Sequence, residues 1–287
     1  MLRFGVLLGR IDDLPPAREQ AIIINVGTRL PTTLALMSAL RHAGMPVLVV
    51  DCESKDDSLA ALDALMARER FDLVSAPLRA HGRTLDWLFS AVRAEKILLV
   101  DSDLEILGPD ILAFMRQFID DGRCFGAGFV DGPGILVNEA GFLHNAYYAE
   151  RPWMPLGLFK VADARAALAA GVSFADKVVF NDLVSRGLLT RAARRFGLRV
   201  PEALRRNYNG HRPELVFYDT GAAIYEHLRF GQERVFAGLP AVFAPRYATH
   251  FSGVSRHVVQ GGGTPVEVIA ATVIERLRSV YAVDAAR

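Results

Sequence analysis

Apolar and polar positions over the first hundred residues alternate between two periods. Residues 21–26 form a β-branched run, and residues 46–50, 71–75 and 97–100 are further short apolar runs with polar boundaries. Each predicts a buried strand. Between them the spacing is helical. Thr33, Leu36, Met37 and Leu40 share one face of a predicted helix over 32–43, with Gly44 as its stop. Leu59, Leu62, Leu65 and Met66 do the same over 58–68, where Asp56 and Asp57 suit the positive N-terminal end. Leu85, Leu88, Phe89 and Val92 mark a third helix. The resulting βαβαβαβ order predicts an α/β fold, a Rossmann-like parallel sheet with helices on both faces.

The second half is less regular. A helix is expected over 109–121, a strand over 125–130, and an aromatic-bearing loop over 131–155. A strand over 215–217 leads into a helix over 220–230, followed by short strands at Val235-Phe236 and 241–244. Gly261-Gly262-Gly263 reads as a hinge, and Thr264-Pro265-Val266-Glu267 as a capping box with proline in the first turn. The helix it opens carries Val266, Ile269, Val273, Leu277 and Val280 on one face, to pack on the domain or on a partner. There is no internal repeat and no low-complexity segment.

Parallel sheets bind ligands beyond the carboxyl ends of their strands, near the switch in strand order. The residues following the strands here are Gly27-Thr28-Arg29, Asp51, Arg79-Ala80-His81-Gly82 and Asp101-Ser102-Asp103. They are expected to share one crevice. Asp101 and Asp103 carry the strongest chemical signal. Two carboxylates one residue apart repel unless something positive lies between them. A divalent cation such as Mn2+ or Mg2+ is the natural neutraliser, since it takes carboxylates, waters and phosphate oxygens together. The bland alternative is an acidic surface turn.

Composition narrows the field. The chain has 287 residues, 51% hydrophobic and 23% charged, which suits a globular core. Lys plus Arg number 33 against 32 for Asp plus Glu, so no net charge argues for nucleic acid. The two cysteines, Cys52 and Cys124, offer neither a disulfide framework nor metal-ligand spacing, and suggest a reducing cytoplasm. The apolar stretch 4–9 is too short for a secretory signal, and no run reaches the roughly 20 residues of a spanning helix. Peripheral membrane contact stays open. Arg191, Arg194, Arg195, Arg199, Arg205, Arg206 and Arg212 read as a solvated helix face, or as a dock for an anionic acceptor or acidic membrane surface.

In this context "ILLVDSDLEIL", with Asp51 ending the second strand, resembles the GT-A glycosyltransferases, most closely family 2. "INVGTRLPTTLALMSALRHAGMPVLVVDCES" looks like the first βαβ unit of that family, and "FYDTGAAIYEHLRFGQERVFAGLPAVFAPRYATHFSGVS" like its acceptor-side segment. The resemblance covers residues 20–256 and matches poorly over 131–214. It implies one GT-A-like domain over 1–287: a nucleotide-sugar half over 20–130, a mixed acceptor half over 131–260, and a C-terminal helix over 264–287. It further implies a metal-dependent, inverting transfer from a nucleotide-diphosphate sugar, a UDP- or GDP-sugar being the expected donor.

The resemblance also implies site roles. Asp103 binds metal directly, and Asp101 holds metal water or donor ribose. Gly27, Thr28, Arg29 and Asp51 contact the nucleoside, with His81 and Ser102 completing the donor site. His250 is a third metal ligand or a diphosphate contact. Asp219 stands where the family carries its catalytic base, although Tyr218 replaces the usual preceding Glu, and Asp182 competes for the role. Each has a structural alternative: Thr28 and Arg29 as helix openers, Asp51 as a turn acid, Asp219 as an N-cap, His250 as a strand histidine. His144, Tyr147 and the loop Trp153-Met154-Pro155 either stack on a sugar or pack as core or lid.

The chemistry has its own logic. A metal clamped on a diphosphate offsets the charge of the departing group. An inverting reaction also needs a base to take the acceptor proton from the opposite face. Three rival readings compete. "GTRLPTT" resembles the turn of sugar nucleotidyltransferases, but Asn25 replaces a further glycine and no lysine precedes Lys55. A haloacid-dehalogenase-type phosphatase also uses Asp-x-Asp, but Glu105 occupies its small-residue position and three βα units precede the motif. A nucleotide-sugar-binding module without turnover is the third.

Overall fold

The four apolar runs of the first hundred residues are neighbours in one sheet. They form β1 (Ala17–Asn25), β2 (Val47–Asp51), β3 (Asp72–Ser75) and β4 (Ala94–Asp101), with α1 (Arg29–His42), α2 (Ser58–Met66) and α3 (His81–Ala91) between them. The computed structural model describes residues 11–54, 57–131, 136–137, 143–144, 150–180, 215–254, 257–258 and 261–283. Asp182, Tyr147 and the arginines from Arg191 to Arg212 lie outside the described residues, as does the His144 side chain.

A short strand, β5 (Leu104–Ile106), follows the acidic turn, then α4 (Asp110–Ile119) and β6 (Cys124–Asp131). The two-residue strands β7 (Leu136–Val137) and β8 (Leu143–His144) form a small ribbon. Next come β9 (Arg151–Lys160), α5 (Val161–Ala169), β10 (Lys177–Phe180), β11 (Leu215–Tyr218), α6 (Ala222–Glu226), β12 (Val235–Pro240), β13 (Ala248–His250) and α7 (Val266–Tyr281). The central sheet has seven strands in the order β12-β6-β9-β4-β1-β2-β3. Only β9 runs antiparallel to its neighbours. The architecture is therefore mixed α/β with a mostly parallel sheet, as the periodicity predicts.

Alternation along the strands sends side chains to two buried layers. Ala21, Ile23, Val47, Val49, Leu98 and Val100 face the layer that α1, α4 and α7 cover. Ile22, Leu48, Val50, Ile97 and Leu99 face the layer under α3, α5 and α6. Burial on both faces explains why these strands read as unbroken apolar runs. Helix α7 packs back on the domain, burying Val273 and Leu277 against the first layer beside α1. Among the described residues, no helix is long and apolar enough to cross a membrane.

Three expectations need correction. Residues 151–155 are not loop but the start of β9, a ten-residue strand inside the sheet. Its Pro152 and Pro155 lie before the register with β4 begins at Leu156, so the missing donors fall where β9 lacks that neighbour. Residues 241–244 belong to a 3-10 helix, Ala241–Arg246, where Pro245 supplies no ladder donor. The capping box does not form. Pro265 takes the cap position of α7, and the Thr264 hydroxyl instead donates to the Ser252 carbonyl at 3.1 Å.

Candidate functional site

Strand order reverses at β1, since the chain moves outward through β2 and β3 and then returns to β4 on the other side. The crevice at the carboxyl ends of these strands is where ligands gather in such sheets. The register places Asn25 beside Asp51, and Asp101 beside Ile24. Asp51 and Asp101 therefore stand at the same end of the sheet, flanking β1.

The Asp51 side is a closed polar network. Asn25, fully buried, donates to Asp51 Oδ1 at 2.9 Å and to Ser54 Oγ at 3.0 Å. Its own oxygen accepts from Thr32 Oγ1 at 2.9 Å and from the Thr28 amide at 3.3 Å. Thr28 and Thr32 share a hydroxyl contact at 3.0 Å, and Thr28 reaches Ser102 Oγ at 3.4 Å. Gly27 makes the sharp turn from β1 into α1 at φ 82°, a left-handed conformation that glycine adopts without strain. Arg29, the first residue of α1, pairs with Asp57 just before α2. Asn25 is the hub of this network. In the sequence it stood out only as a departure from the nucleotidyltransferase turn, inside the run 21–26.

The acidic turn follows β4 directly. Asp103 is 3% exposed, and Ser102 is also buried. The next strand, β5, pairs antiparallel with β13, so that His250 stands opposite Leu104. The Phe251 amide donates to the Asp103 carbonyl at 2.8 Å. This pairing brings His250 Nε2 to 3.1 Å from Asp103 Oδ1 and 3.6 Å from Asp101 Oδ2. One ligand atom from each of the three residues lies within 4.8 Å of the others. Trp153 of β9 meets the His250 ring edge-on at 5.4 Å and the Phe129 ring edge-on at 5.7 Å. In these contacts Trp153 packs against the site.

The cluster is electrostatically coupled. Burial opposes a charged imidazole, yet the hydrogen bond with Asp103 and the charges of Asp101 and Asp103 push His250 up to about 9. Burial alone would raise Asp101. The close approach of the His250 imidazole, with the positive fields of His81 and Arg151, holds its carboxyl below the usual range instead. His81 is exposed at the start of α3. At neutral pH the imidazolium offsets one of the two adjacent carboxylate charges. Two carboxylate oxygens and one imidazole nitrogen also form a donor set suited to Mn2+ or Mg2+, with coordination places left for water and phosphate. The metal would replace the imidazolium proton, because the ligand must be neutral imidazole.

Beyond Asp101 the crevice continues to Arg151 at the start of β9. One guanidinium nitrogen lies 3.1 Å from both Asp131 and Asp219. Burial raises the Asp131 carboxyl, against the pull of Arg151 and with the help of Asp219. Asp219 is not the N-cap of α6, a place held by Gly221; its Oδ1 accepts from the Thr220 amide at 2.7 Å. Sequence reading passed over Arg151, since it lies in a segment taken for loop.

No family model and no curated protein matches the chain. Solved structures to which it is similar include glycosyltransferases of the GT-A type. One is mannosyltransferase PcManGT from Pyrobaculum calidifontis in complex with GDP-Man and Mn2+, at 18% identity and a TM-score of 0.42, over 54% of this chain and 49% of that one. Another is S. aureus TarS 1-349 in complex with UDP-GlcNAc, at 17% identity and a TM-score of 0.39, over 55% of this chain and 48% of that one. A third is 4-diphosphocytidyl-2C-methyl-D-erythritolsynthase from Anaerococcus prevotii, at 13% identity and a TM-score of 0.38, over 53% and 76%. The chain spans about half the length of the first structures it matches.

Proposed function

We propose that this chain is a metal-dependent glycosyltransferase that moves a sugar from a nucleotide-diphosphate sugar to an acceptor with inversion. The observation that carries this reading is the meeting of Asp101, Asp103 and His250 at the switch point of a parallel sheet. The fold and the motif resemblance support it. Asp103, Asp101 and His250 would hold Mn2+ or Mg2+, which when bound supplies Lewis-acid neutralisation of a diphosphate leaving group. The buried Asn25–Asp51 network, with Gly27, Thr28, Arg29 and Ser102, lines the nucleoside end. His81 adds positive potential near Asp101. Asp219, held by Arg151, takes the proton of the acceptor hydroxyl. A UDP- or GDP-sugar is the proposed donor. The free, buried cysteines suit a reducing cytoplasm.

A thermal-shift panel of UDP-, GDP-, CMP- and dTDP-sugars, each with and without Mn2+, tests the reading. A bound donor raises Tm by mass action. One donor is expected to do so far more strongly with Mn2+ present. If no nucleotide sugar shifts Tm under either condition, the reading fails. If a donor binds but is neither hydrolysed nor transferred, the chain is a binding module.

A further inference from the structure

Glu105 lies two residues past Asp103 and is 1% exposed. A buried carboxylate is costly unless its charge is matched and its oxygens are bonded. Its partners come from the C-terminal helix. Arg276 donates Nε to both oxygens at 3.1 Å and Nη2 to Oε1 at 2.6 Å, and the Tyr281 hydroxyl donates to Oε1 at 3.0 Å. Burial and the Glu105 charge push the Tyr281 phenol up, so it remains a donor at neutral pH. The backbone of β5 is gripped separately: the Ile106 amide donates to Ser38 Oγ of α1 at 3.0 Å.

The same helix is tied to the second strand of the site. Thr264, just before α7, donates its hydroxyl to the Ser252 carbonyl at 3.1 Å and its amide to the Gly253 carbonyl at 3.3 Å. Ser252 lies two residues past His250. One element thus holds the chain two residues beyond each of two ligand-bearing positions. The far end of α7 is seated independently, with Arg41 of α1 donating to the Val280 carbonyl at 2.8 Å.

We propose that Arg276 is a positioning residue for the metal centre, with α7 acting through Glu105 and Ser252 to set the spacing of Asp103 and His250. This rests on the metal-dependent reading above. The β5–β13 pair has three residues in each strand, too few to fix its own position. Ligands must be held within fractions of an ångström for full affinity, and supporting contacts of this kind commonly carry it.

The test is Mn2+ binding to the full chain by calorimetry and electron paramagnetic resonance, without substrate. Arg276→Met and Arg276→Lys are compared with wild type at a temperature where circular dichroism shows each folded. Arg276→Met is expected to weaken Mn2+ about 10- to 100-fold and to change the Mn2+ line shape. Arg276→Lys is expected to recover part of that loss. A role confined to fold stability would lower Tm and leave Mn2+ affinity alone. Should Arg276→Met not fold, Tyr281→Phe serves in its place, with a smaller loss in the same direction. A folded variant that binds Mn2+ as tightly as wild type overturns the clamp alone. A wild-type chain that takes up no Mn2+ overturns the metal reading and the clamp with it.

Discussion

His250 Nε2 lies 3.1 Å from Asp103 Oδ1, although 147 positions separate the two residues in the chain. The contact follows from a three-residue antiparallel pair, β5 with β13. Without that pair the acidic turn would carry two carboxylates and no imidazole between them. With it, the turn becomes a three-donor site in which the His250 imidazolium offsets one of the two carboxylate charges.

Asp103→Asn removes one anionic donor and leaves side-chain shape almost unchanged. Asp101 and His250 alone offer fewer ligands and less charge, so metal-linked donor binding is expected to fall sharply. The Mn2+-dependent part of the donor-induced Tm shift should disappear, with the ligand-free Tm close to wild type. An Asp103→Asn chain whose donor still gains the full Mn2+-dependent shift would remove this carboxylate from the metal site.

Asn25→Ala tests the nucleoside side through stability. The substitution takes two donors from Asp51 and Ser54 and one acceptor from Thr28 and Thr32, all at a buried position. Unsatisfied buried polar groups each cost about 1–3 kcal/mol, so a loss of about 2–3 kcal/mol is expected. Urea unfolding at pH 7 measures it as a lower midpoint with unchanged slope. A midpoint equal to wild type would mean that water or neighbouring groups replace Asn25.

Legibility in the sequence followed pattern length. The runs that became β1 to β4 were readable because strands buried on both faces are apolar throughout; of the helices between them α3 carries a clear buried face, whereas α1 is buried on all sides from Pro31 to Ala39. Asp101 and Asp103 were readable because they follow such a run at once. His250 entered through family resemblance, since β5 and β13 are too short to show a period. β9 was hidden by Pro152, Pro155 and Gly157, all unfavourable in a strand, and only its two flanking neighbours explain why it is one. Arg151 was lost with it. Glu105 looked like a mark against a rival motif; its buried pairing with Arg276 depends on a helix 171 positions away.

Gly82→Ala is expected to destabilise the fold. A Cβ at this position would fall 2.4 Å from the Ala175 Cα and 2.6 Å from the Phe174 carbonyl oxygen. Both are backbone atoms, so relief requires moving α3 or the segment before β10. Overpacking of this kind costs about 1–3 kcal/mol. Thermal melting reads the loss, and an unchanged Tm would show that the segment yields freely.

Cys52 is expected to resist alkylation. It is 2% exposed, and burial, then the adjacent Asp51 charge, pushes its thiol up to about 12. Only the thiolate reacts, so at pH 8 the native chain should take up iodoacetamide at this residue far more slowly than the urea-unfolded chain. Peptide mass mapping of both samples checks this. Equal labelling would mean that the end of β2 opens readily.

Asp219→Asn addresses the proposed chemistry directly. Arg151 contacts Asp219 and Asp131 at 3.1 Å each and also adds positive potential at Asp101. Asp219 is thus fixed near the acidic turn without belonging to the three-donor cluster. Its amide retains shape and can still accept from the Thr220 amide, so donor and metal binding are expected to stay near wild type. It cannot take a proton from an acceptor hydroxyl. The rate of transfer should then fall by roughly two to four orders of magnitude, while donor KM changes little. Asp182→Asn should do much less. Normal turnover in the Asp219 variant, or a product that keeps the donor's anomeric configuration, would exclude Asp219 as the base of an inverting transfer.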